Sequence, residues 1–500
     1  MKEVINKLAD TKISTSYLFI LLGVCALMMT GYFSYAWFTV QGVQQYSVVT
    51  GNLSGSITIG ANSVAIEGAG TISYTPATDS ETVTITVTNS SDRTVKNSIY
   101  YYTLSDSSIE IGYTSDSPTI PTVEGVSVEK GNTLTYKIKI KGSKGKAVKI
   151  GSSMGLVNSN LTLPSGTVAF ELLSEPSGAE TLIAKANPES LDYNSATDDQ
   201  KNQMWTFTHE ATTQLGATTD YRYIGANPNN YVKFNDELWR IIGVFDVDDG
   251  TGKLEKRLKI IRNESIGNYS WDNKNTSTGA EDSYGKNNWP DARLNYLLNE
   301  GHDSETYGGS LYWNRKSGTC YSGSNNATIS CDFTSTGLTT AAKEMIGDAK
   351  WYLGGTANFT SSSNGLASHF YGYERGTTVY SGRSTSWTGK VGLIYPSDYG
   401  YATSGNSSTS RATCLAKEMY NWDGVSACYQ NDWLFKSSYM WSLSPNSSYS
   451  SSVFGVDYSG YVNNSNANYN NNGAWPVVHL KSTIKVTTGT GSSNDPFILE

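Results

Sequence analysis

The chain has 500 residues and a formal net charge of −8 at pH 7, and this length allows about three domains with sizeable cores. Because it contains no strongly basic stretch, a nucleic-acid partner is not expected. Tyr (34), Trp (12) and Gly (48) are abundant, whereas charged residues make up only 16%. Aromatic residues among many small polar ones are typical of β-rich domains with long polar loops.

The first feature along the chain is an uncharged, mostly apolar run, Tyr17–Phe38. As an α-helix it would extend roughly 33 Å, enough to cross the hydrocarbon core of a bilayer. Lysines precede the run and no charged residue follows it before Glu67, which predicts residues 1–16 in the cytoplasm and the rest outside. A cleaved signal peptide is the alternative, since Ser34 and Ala36 match a cleavage site. Either reading predicts export: a retained helix makes the membrane a partner, whereas cleavage of the signal leaves a secreted protein.

Residues 40–173 are predicted to form an all-β sandwich. Two segments, Thr82–Asn89 and Thr135–Lys141, alternate strictly, which is the period of a strand with one buried face. The start, Tyr35–Thr39 followed by Val49–Leu53, resembles the N-terminal region of the camelysin-like biofilm matrix fibre proteins. That resemblance implies an extracellular sandwich that can assemble into fibres.

Residues 174–219 are predicted to be a linker with few stable contacts. Pro176, Pro188 and a Ser/Asp/Gln-rich stretch punctuate it, and such segments commonly connect domains. One short helix is expected within it, at Ala179–Ala186.

Residues 220–500 are predicted to form an α+β domain. Its strongest local pattern is a strand pair, Glu237–Phe245 and Arg257–Arg262, joined by a polar Asp/Gly-rich loop. Further predicted elements are a helix that begins near Trp289, helices over Thr339–Leu353 and Arg411–Trp422, and a closing strand pair, Val477–Lys481 with Thr483–Val486.

Several segments of this domain carry a resemblance: Tyr221–Phe234, Leu238–Ile242, Trp387–Pro396 and the ending that contains Trp475–Lys481 and Asp495–Phe497. In this order they resemble an uncharacterised domain of bacterial, mostly Firmicute-like, surface proteins, itself similar to C-type-lectin-like and formylglycine-generating-enzyme-like folds. The resemblance implies a C-type-lectin-like fold and a surface location for residues 220–500. It implies no particular ligand.

The chain contains five cysteines, of which Cys25 lies in the apolar run. The other four form two local pairs, and in an exported domain an even set at short spacings predicts disulfides. We therefore predict the disulfides Cys320–Cys331 and Cys414–Cys428. A Cys₄ zinc site is the alternative, but neither pair has the usual C-x₂₋₄-C spacing.

Motifs for catalysis and cofactor binding are missing from the sequence. The four histidines have no zinc-binding spacing, and neither a nucleophile elbow nor a phosphate-binding glycine loop occurs. The reactive-cysteine chemistry of formylglycine-generating enzymes is not carried over, because the exported cysteines are assigned to disulfides. We predict that the protein is not an enzyme and uses no metal or other cofactor.

The most unusual stretch, Ser444–Gly473, consists mainly of Ser, Asn and Tyr. Tyrosine offers a large, fairly rigid contact area and asparagine offers adaptable hydrogen bonds, as in antibody paratopes. The alternative is a polar surface hairpin and loop with Val453, Phe454 and Val456 buried. The predicted ligand-binding residues are Tyr449, Tyr458, Tyr461, Asn463, Asn464, Asn466, Asn468 and Tyr469.

Together these patterns favour a cell-surface adhesion protein that presents a lectin-like domain on a β-sandwich stalk. Its expected partner is a glycan or protein outside the cell. The alternatives are a structural subunit of an extracellular fibre and an exported enzyme of the formylglycine-generating-like fold.

Overall fold

A computed structural model describes residues 53–78, 80–106, 108–173, 176–273, 284–323 and 326–500. The chain divides into two compact units, residues 1–175 and 176–500. The described residues of the first unit form strands without helices, whereas the second unit combines strands with short helices. The predicted membrane-spanning run, Tyr17–Phe38, lies outside the described residues. Within the described part, no helix has both the length and the apolar character that a membrane crossing requires.

The first unit is built from antiparallel strands that follow one another closely in sequence. They are β1 (Ser54–Ile59), β2 (Asn62–Glu67), β3 (Ala69–Tyr74), β4 (Ser80–Asn89), β5 (Val95–Tyr102), β6 (Glu110–Tyr113), β7 (Val126–Val128), β8 (Thr133–Lys141), β9 (Val148–Leu156) and β10 (Thr167–Ala169).

These strands hydrogen-bond in the order β10-β5-β9-β3-β2-β1-β4-β8-β6, with β7 beside β5. The two strands predicted from alternation, β4 and β8, are antiparallel neighbours, with Val83 opposite Ile138 and Ile85 opposite Tyr136. Inward-facing Ile, Val and Tyr side chains from both halves of the sheet meet in one hydrophobic cluster. The predicted β-sandwich is therefore confirmed.

The second unit contains a larger and more varied set of elements. Its strands are β11 (Trp205–His209), β12 (Thr218–Arg222), β13 (Tyr231–Phe234), β14 (Glu237–Asp248), β15 (Leu254–Arg262), β16 (Ser317–Tyr321), β17 (Thr328–Asp332), β18 (Ala349–Tyr352), β19 (Ser386–Gly389), β20 (Val391–Gly392), β21 (Met440–Pro445), β22 (Ser452–Val456), β23 (Val462–Asn466), β24 (Val477–His479), β25 (Val486–Thr488) and β26 (Phe497–Leu499). Its α-helices are α1 (Gly178–Ile183), α2 (Asp198–Lys201), α3 (Arg293–Leu298), α4 (Thr340–Met345), α5 (Ala367–Glu374), α6 (Pro396–Ala402), α7 (Arg411–Leu415) and α8 (Ser426–Gln430), and short 3₁₀ turns lie at Tyr193–Ser195, Trp289–Asp291 and Trp422–Gly424.

The central sheet of this unit has the order β20-β24-β15-β14-β13-β26-β25, and β12 joins β14 to β11. The predicted hairpin is confirmed as β14 and β15, which pair antiparallel from Trp239 opposite Arg262 to Asp248 opposite Leu254. Both strands extend beyond their predicted limits. Three smaller sheets complete the unit: β16-β17, β18-β19 and β21-β22-β23.

Three predicted elements of the second unit are wrong in extent or pairing. The helix expected over Thr339–Leu353 ends at Met345, and Ala349–Tyr352 is a strand that pairs with β19. Gly347 marks the break, where an added Cβ would lie 2.5 Å from the guanidinium of Arg257. The helix expected over Arg411–Trp422 likewise ends early, at Leu415.

The closing strands also pair differently from the prediction. β24 pairs with β15 and β20, whereas β25 pairs with β26. A turn at Ser482 and Thr483 separates the two strands and directs them to different neighbours.

Residues 176–219 differ from the predicted linker because they pack into the second unit. Leu182, Met204, Trp205 and Phe207 are buried in its hydrophobic core, and β11 pairs along its length with β12. The expected short helix is present as α1. The polar composition of this segment concealed a few large apolar residues whose burial stabilises it.

Candidate functional site

Both predicted disulfides are present. Cys320–Cys331 joins β16 to β17 with its Cα atoms 5.9 Å apart, and Cys414–Cys428 joins α7 to α8 with its Cα atoms 5.4 Å apart. All four cysteines are buried. The bridges close short segments that contain little regular secondary structure, and by the chain-entropy model each stabilises the fold by about 3 kcal/mol.

The Tyr/Asn-rich stretch Ser444–Gly473 forms two strands, β22 and β23, that continue from β21 as a three-stranded antiparallel sheet. Val453, Phe454 and Val456 of β22 are buried, as the alternative prediction of a polar hairpin and loop expected. A strand that is buried along its whole length provides a rigid base for the turns at its two ends.

The predicted tyrosines do not form a single face. Tyr449 lies in the turn between β21 and β22, whereas Tyr458 lies in the turn between β22 and β23, at the opposite end of the same strand. Tyr449 is 63% exposed and Tyr458 is 61% exposed. The two rings therefore belong to different surfaces, although both are open to solvent.

Tyr458 instead lies beside Tyr439, the residue that immediately precedes β21. The two ring centroids are 5.4 Å apart in an edge-to-face arrangement. Burial raises the pKa of Tyr439, and the nearby phenols of Tyr458 and Tyr469 raise it further. Tyr469 is 42% exposed, and Asn471 donates a hydrogen bond to its hydroxyl at 3.3 Å. We call Tyr439, Tyr458 and Tyr469 the tyrosine patch.

The remaining predicted residues surround these turns with different degrees of exposure. Tyr461 is half-buried, with its ring 5.9 Å from that of Tyr429. Asn463 and Asn466 are exposed, and Asn464 is partly so. The backbone of Asn468 is anchored, because its N–H donates to the carbonyl of Tyr284 at 2.9 Å.

Sequence reasoning missed Tyr439, which lies before the stretch that attracted attention. The signal that could have found it is the neighbouring Ser437-Ser438-Tyr439, which has the same composition as the predicted binding stretch.

Sequence reasoning also missed a cluster of buried charged side chains in the core of the second unit, which we call the ion cluster. Its members come from β12, β15, α5 and α6, and each is at most 5% exposed. They are Asp220, Arg222, Lys259, Glu374, Arg375 and Asp398.

Within the ion cluster, Arg222 bridges two acids. Its guanidinium lies 2.8 Å from Asp220 and 3.0 Å from Asp398, and Lys259 donates to the other oxygen of Asp398. Burial alone would raise the pKa of Asp398, but Lys259 and Arg222 together hold it below its usual value. Asp398 also accepts the backbone N–H of Tyr395 at 2.9 Å and so fixes the start of α6.

The second half of the ion cluster is Glu374 with Arg375. The guanidinium of Arg375 lies 3.0 Å from Glu374, and Glu374 also accepts the backbone N–H of Ser397 at 2.9 Å. Burial nevertheless raises the pKa of Glu374 to about 7. This carboxyl therefore changes charge near neutral pH, whereas Asp398 stays ionised.

Among residues 53–500 as far as the structure describes them, no group of three or more His, Cys, Asp or Glu side chains is arranged to hold an ion. Asp248 and Asp249, in the loop between β14 and β15, direct their carboxylates to backbone N–H groups of their own turn. No protein-family model, curated protein or solved structure matches this chain.

Proposed function

We propose that this protein is a cell-surface binding protein whose tyrosine patch contacts a glycan or protein outside the cell. The observation that carries the proposal is the exposed ring of Tyr458, packed edge-to-face on Tyr439 beside a three-stranded sheet whose central strand is buried. A second exposed ring, that of Tyr469, lies near enough for its phenol to raise the pKa of Tyr439. Exposed aromatic rings on a rigid base lose little conformational entropy when they bind a partner.

The chemistry around the patch favours a polar, uncharged ligand. Asn463, Asn466 and Asn471 are exposed nearby in sequence, and amide groups both donate and accept hydrogen bonds. The nearest acid in the turn, Asp457, already accepts the N–H groups of Ser459 and Tyr461. Aromatic rings beside amides suit sugar rings, so a neutral glycan is the ligand that we favour.

The proposed location outside the cell is supported by the two disulfides, because such bonds persist in oxidising compartments. In this proposal the Tyr17–Phe38 run anchors the chain in the membrane, or is cleaved after export. The β-sandwich acts as a stalk, and the second unit has a C-type-lectin-like fold and a binding rather than a catalytic role. The order of sequence motifs supports that fold.

Glycan-array and cell-adhesion measurements on the purified exported region test the proposal. Tyr458→Ala and Tyr469→Ala should each weaken binding about tenfold, which corresponds to one well-packed aromatic contact. Tyr449→Ala is the matched control, because that ring is equally exposed but lies at the other end of β22.

If Tyr449→Ala weakens binding as much as Tyr458→Ala and Tyr469→Ala do, the ligand is not bound by the tyrosine patch. Absence of binding to any glycan or cell surface would contradict the proposed function itself.

A further inference from the structure

A cleft opens beside the ion cluster, and three members of the cluster, Asp220, Lys259 and Arg375, line it. It is lined by Phe245, Lys259, Tyr371, Arg375 and His479, among others. The space available to the centre of a water molecule is ≈ 20 Å³, enough for one or two waters. A group no larger than a carboxylate therefore fits at its base.

Hydrogen-bond donors outnumber acceptors around this cleft. Both oxygens of Asp398 and both of Glu374 already accept hydrogen bonds. By contrast, two side-chain nitrogens of lining residues, Nε of Arg375 and Nδ1 of His479, are buried and have no hydrogen-bond partner among the described residues. Since every nitrogen of a guanidinium is a donor, Nε–H of Arg375 lacks an acceptor.

The walls of the cleft hold the two lining cations in place. The guanidinium of Arg375 lies 3.6 Å from the ring centroid of Tyr371, and Nζ of Lys259 lies 4.5 Å from that of Tyr395. Cations stacked on aromatic rings are preorganised, so an incoming anion need not order them. Lys350, whose side chain is 29% exposed, adds a positive charge at the rim.

Two acids also line the cleft, and both are already paired. Asp220 lies 2.8 Å from Arg222, and Asp246 lies 2.8 Å from Lys256. The three lining cations are paired as well, Lys259 with Asp398, Arg375 with Glu374 and Lys350 with Asp248. What remains for an incoming anion is the unpaired Nε–H of Arg375.

We propose that this cleft is a binding site for a small carboxylate, whose oxygens accept hydrogen bonds from Arg375 and Lys259. A planar carboxylate matches the fork of a guanidinium and is narrow enough to lie between flat aromatic walls. The site is separate from the tyrosine patch and does not depend on the function proposed for it.

Binding at this site should be linked to proton uptake. The groups that face Glu374 are Arg375 on its own helix, and Ser397 and Asp398 on α6. A bound carboxylate adds negative charge beside Arg375 and so favours the protonated form of Glu374. Affinity should therefore fall as the pH rises above about 7, by at most about tenfold per pH unit.

Saturation-transfer NMR on the full chain, with acetate as the probe at constant ionic strength, tests the site. Transfer to the acetate methyl should be saturable, absent for the neutral isostere acetamide, and lost in Arg375→Gln. Lys350→Met, a change at the rim that should leave the fold intact, should weaken binding about two- to fivefold. Lys146→Met, an exposed lysine of the first unit, is the matched control and should have no effect.

Equal transfer to acetate and acetamide would overturn the proposal. Unchanged binding in a folded Arg375→Gln protein would do the same, as would unchanged binding in Lys350→Met should Arg375→Gln fail to fold. The pH dependence provides an independent measurement, since Glu374→Gln should remove the loss of affinity above pH 7 that the unaltered protein shows.

Discussion

The two units of this chain are both β-rich, but their cores are stabilised in different ways. The first unit packs Ile, Val and a few other apolar residues in one cluster, and its ion pairs, such as Lys137–Asp116 and Lys146–Asp106, are largely exposed. The second unit encloses the ion cluster in its core. All tryptophans that the structure describes belong to this second unit. Alternation of apolar and polar residues along the strands is enough to form the core of the first unit. The core of the second unit also requires that each buried charge meets a partner of opposite sign.

Buried polar groups show the same contrast. In the first unit they are neutral: Asn97 donates to Ser152 at 2.7 Å and accepts from the hydroxyl of Tyr136 at 3.2 Å. In the second unit they include charged groups: Asp398 pairs with both Arg222 and Lys259, and Arg222 pairs with Asp220 as well. Loss of one partner should therefore cost far more in the second unit.

The largest expected effect is that of Asp398→Ala, which leaves the buried Lys259 without its acceptor and Arg222 with one acid instead of two. Breaking a buried pair in this way lowers the free energy of unfolding by about 3–5 kcal/mol. Denaturant unfolding followed by tryptophan fluorescence measures it, because that signal comes chiefly from the second unit. The control, Asp116→Ala, breaks an exposed pair of the first unit and should cause a much smaller loss by circular dichroism. Equal losses of unfolding free energy in Asp398→Ala and Asp116→Ala would contradict the proposed difference between the two cores.

A second effect, on the order of 3 kcal/mol, concerns the pH dependence of stability. Because folding raises the pKa of Glu374 to about 7, its contribution is complete below its unfolded value, near 4.5, and is lost as the pH rises through 7. Glu374→Gln keeps the neutral form and removes this loss. Between pH 4.5 and 7, the unfolding free energy of Glu374→Gln should therefore rise relative to that of the unaltered protein by about 3 kcal/mol.

The buried histidines do not obscure this comparison. Burial lowers the pKa values of His209 and His479, so their contribution is lost as the pH falls below about 6.5, in the opposite direction. They are present in both proteins and cancel in the difference. A difference that stays constant across this pH range would show that Glu374 titrates normally.

The smallest effect is expected in the first unit. Asn97→Ala leaves the buried hydroxyl of Tyr136 without its acceptor, at a cost of about 2 kcal/mol. The double variant Asn97→Ala with Tyr136→Phe removes that unpaired group and should recover part of the loss. Absence of any recovery in denaturant unfolding would mean that packing, rather than hydrogen bonding, accounts for the cost.

The contrast between the cores also explains how much could be predicted from the sequence. Alternation in Thr82–Asn89 and Thr135–Lys141 predicted β4 and β8 because each strand buries every second residue. Both disulfides were predicted because the paired cysteines are close together in sequence, so their pairing does not depend on the tertiary fold. By contrast, the apolar residues of Thr339–Leu353 fit a helix, and only tertiary pairing with β19 makes part of that segment a strand.

The ion cluster could not be predicted in this way. Asp220 and Arg222 lie on β12, whereas Glu374 and Asp398 lie on α5 and α6, far away in sequence. No local pattern records which charge faces which, and charged residues in a polar sequence are ordinarily assigned to the surface. The tyrosine patch was predicted in part for a related reason: Tyr458 and Tyr469 are conspicuous, but the separation of Tyr458 from Tyr449 by β22 depends on strand register.

That register has a consequence for how the surface can vary. All five residues of β22 are inaccessible to solvent, yet the turns at its two ends each present a tyrosine. A substitution in one turn should not alter the conformation of the other turn, because the buried strand between them is fixed by its packing. The two loops can therefore change in sequence independently of each other.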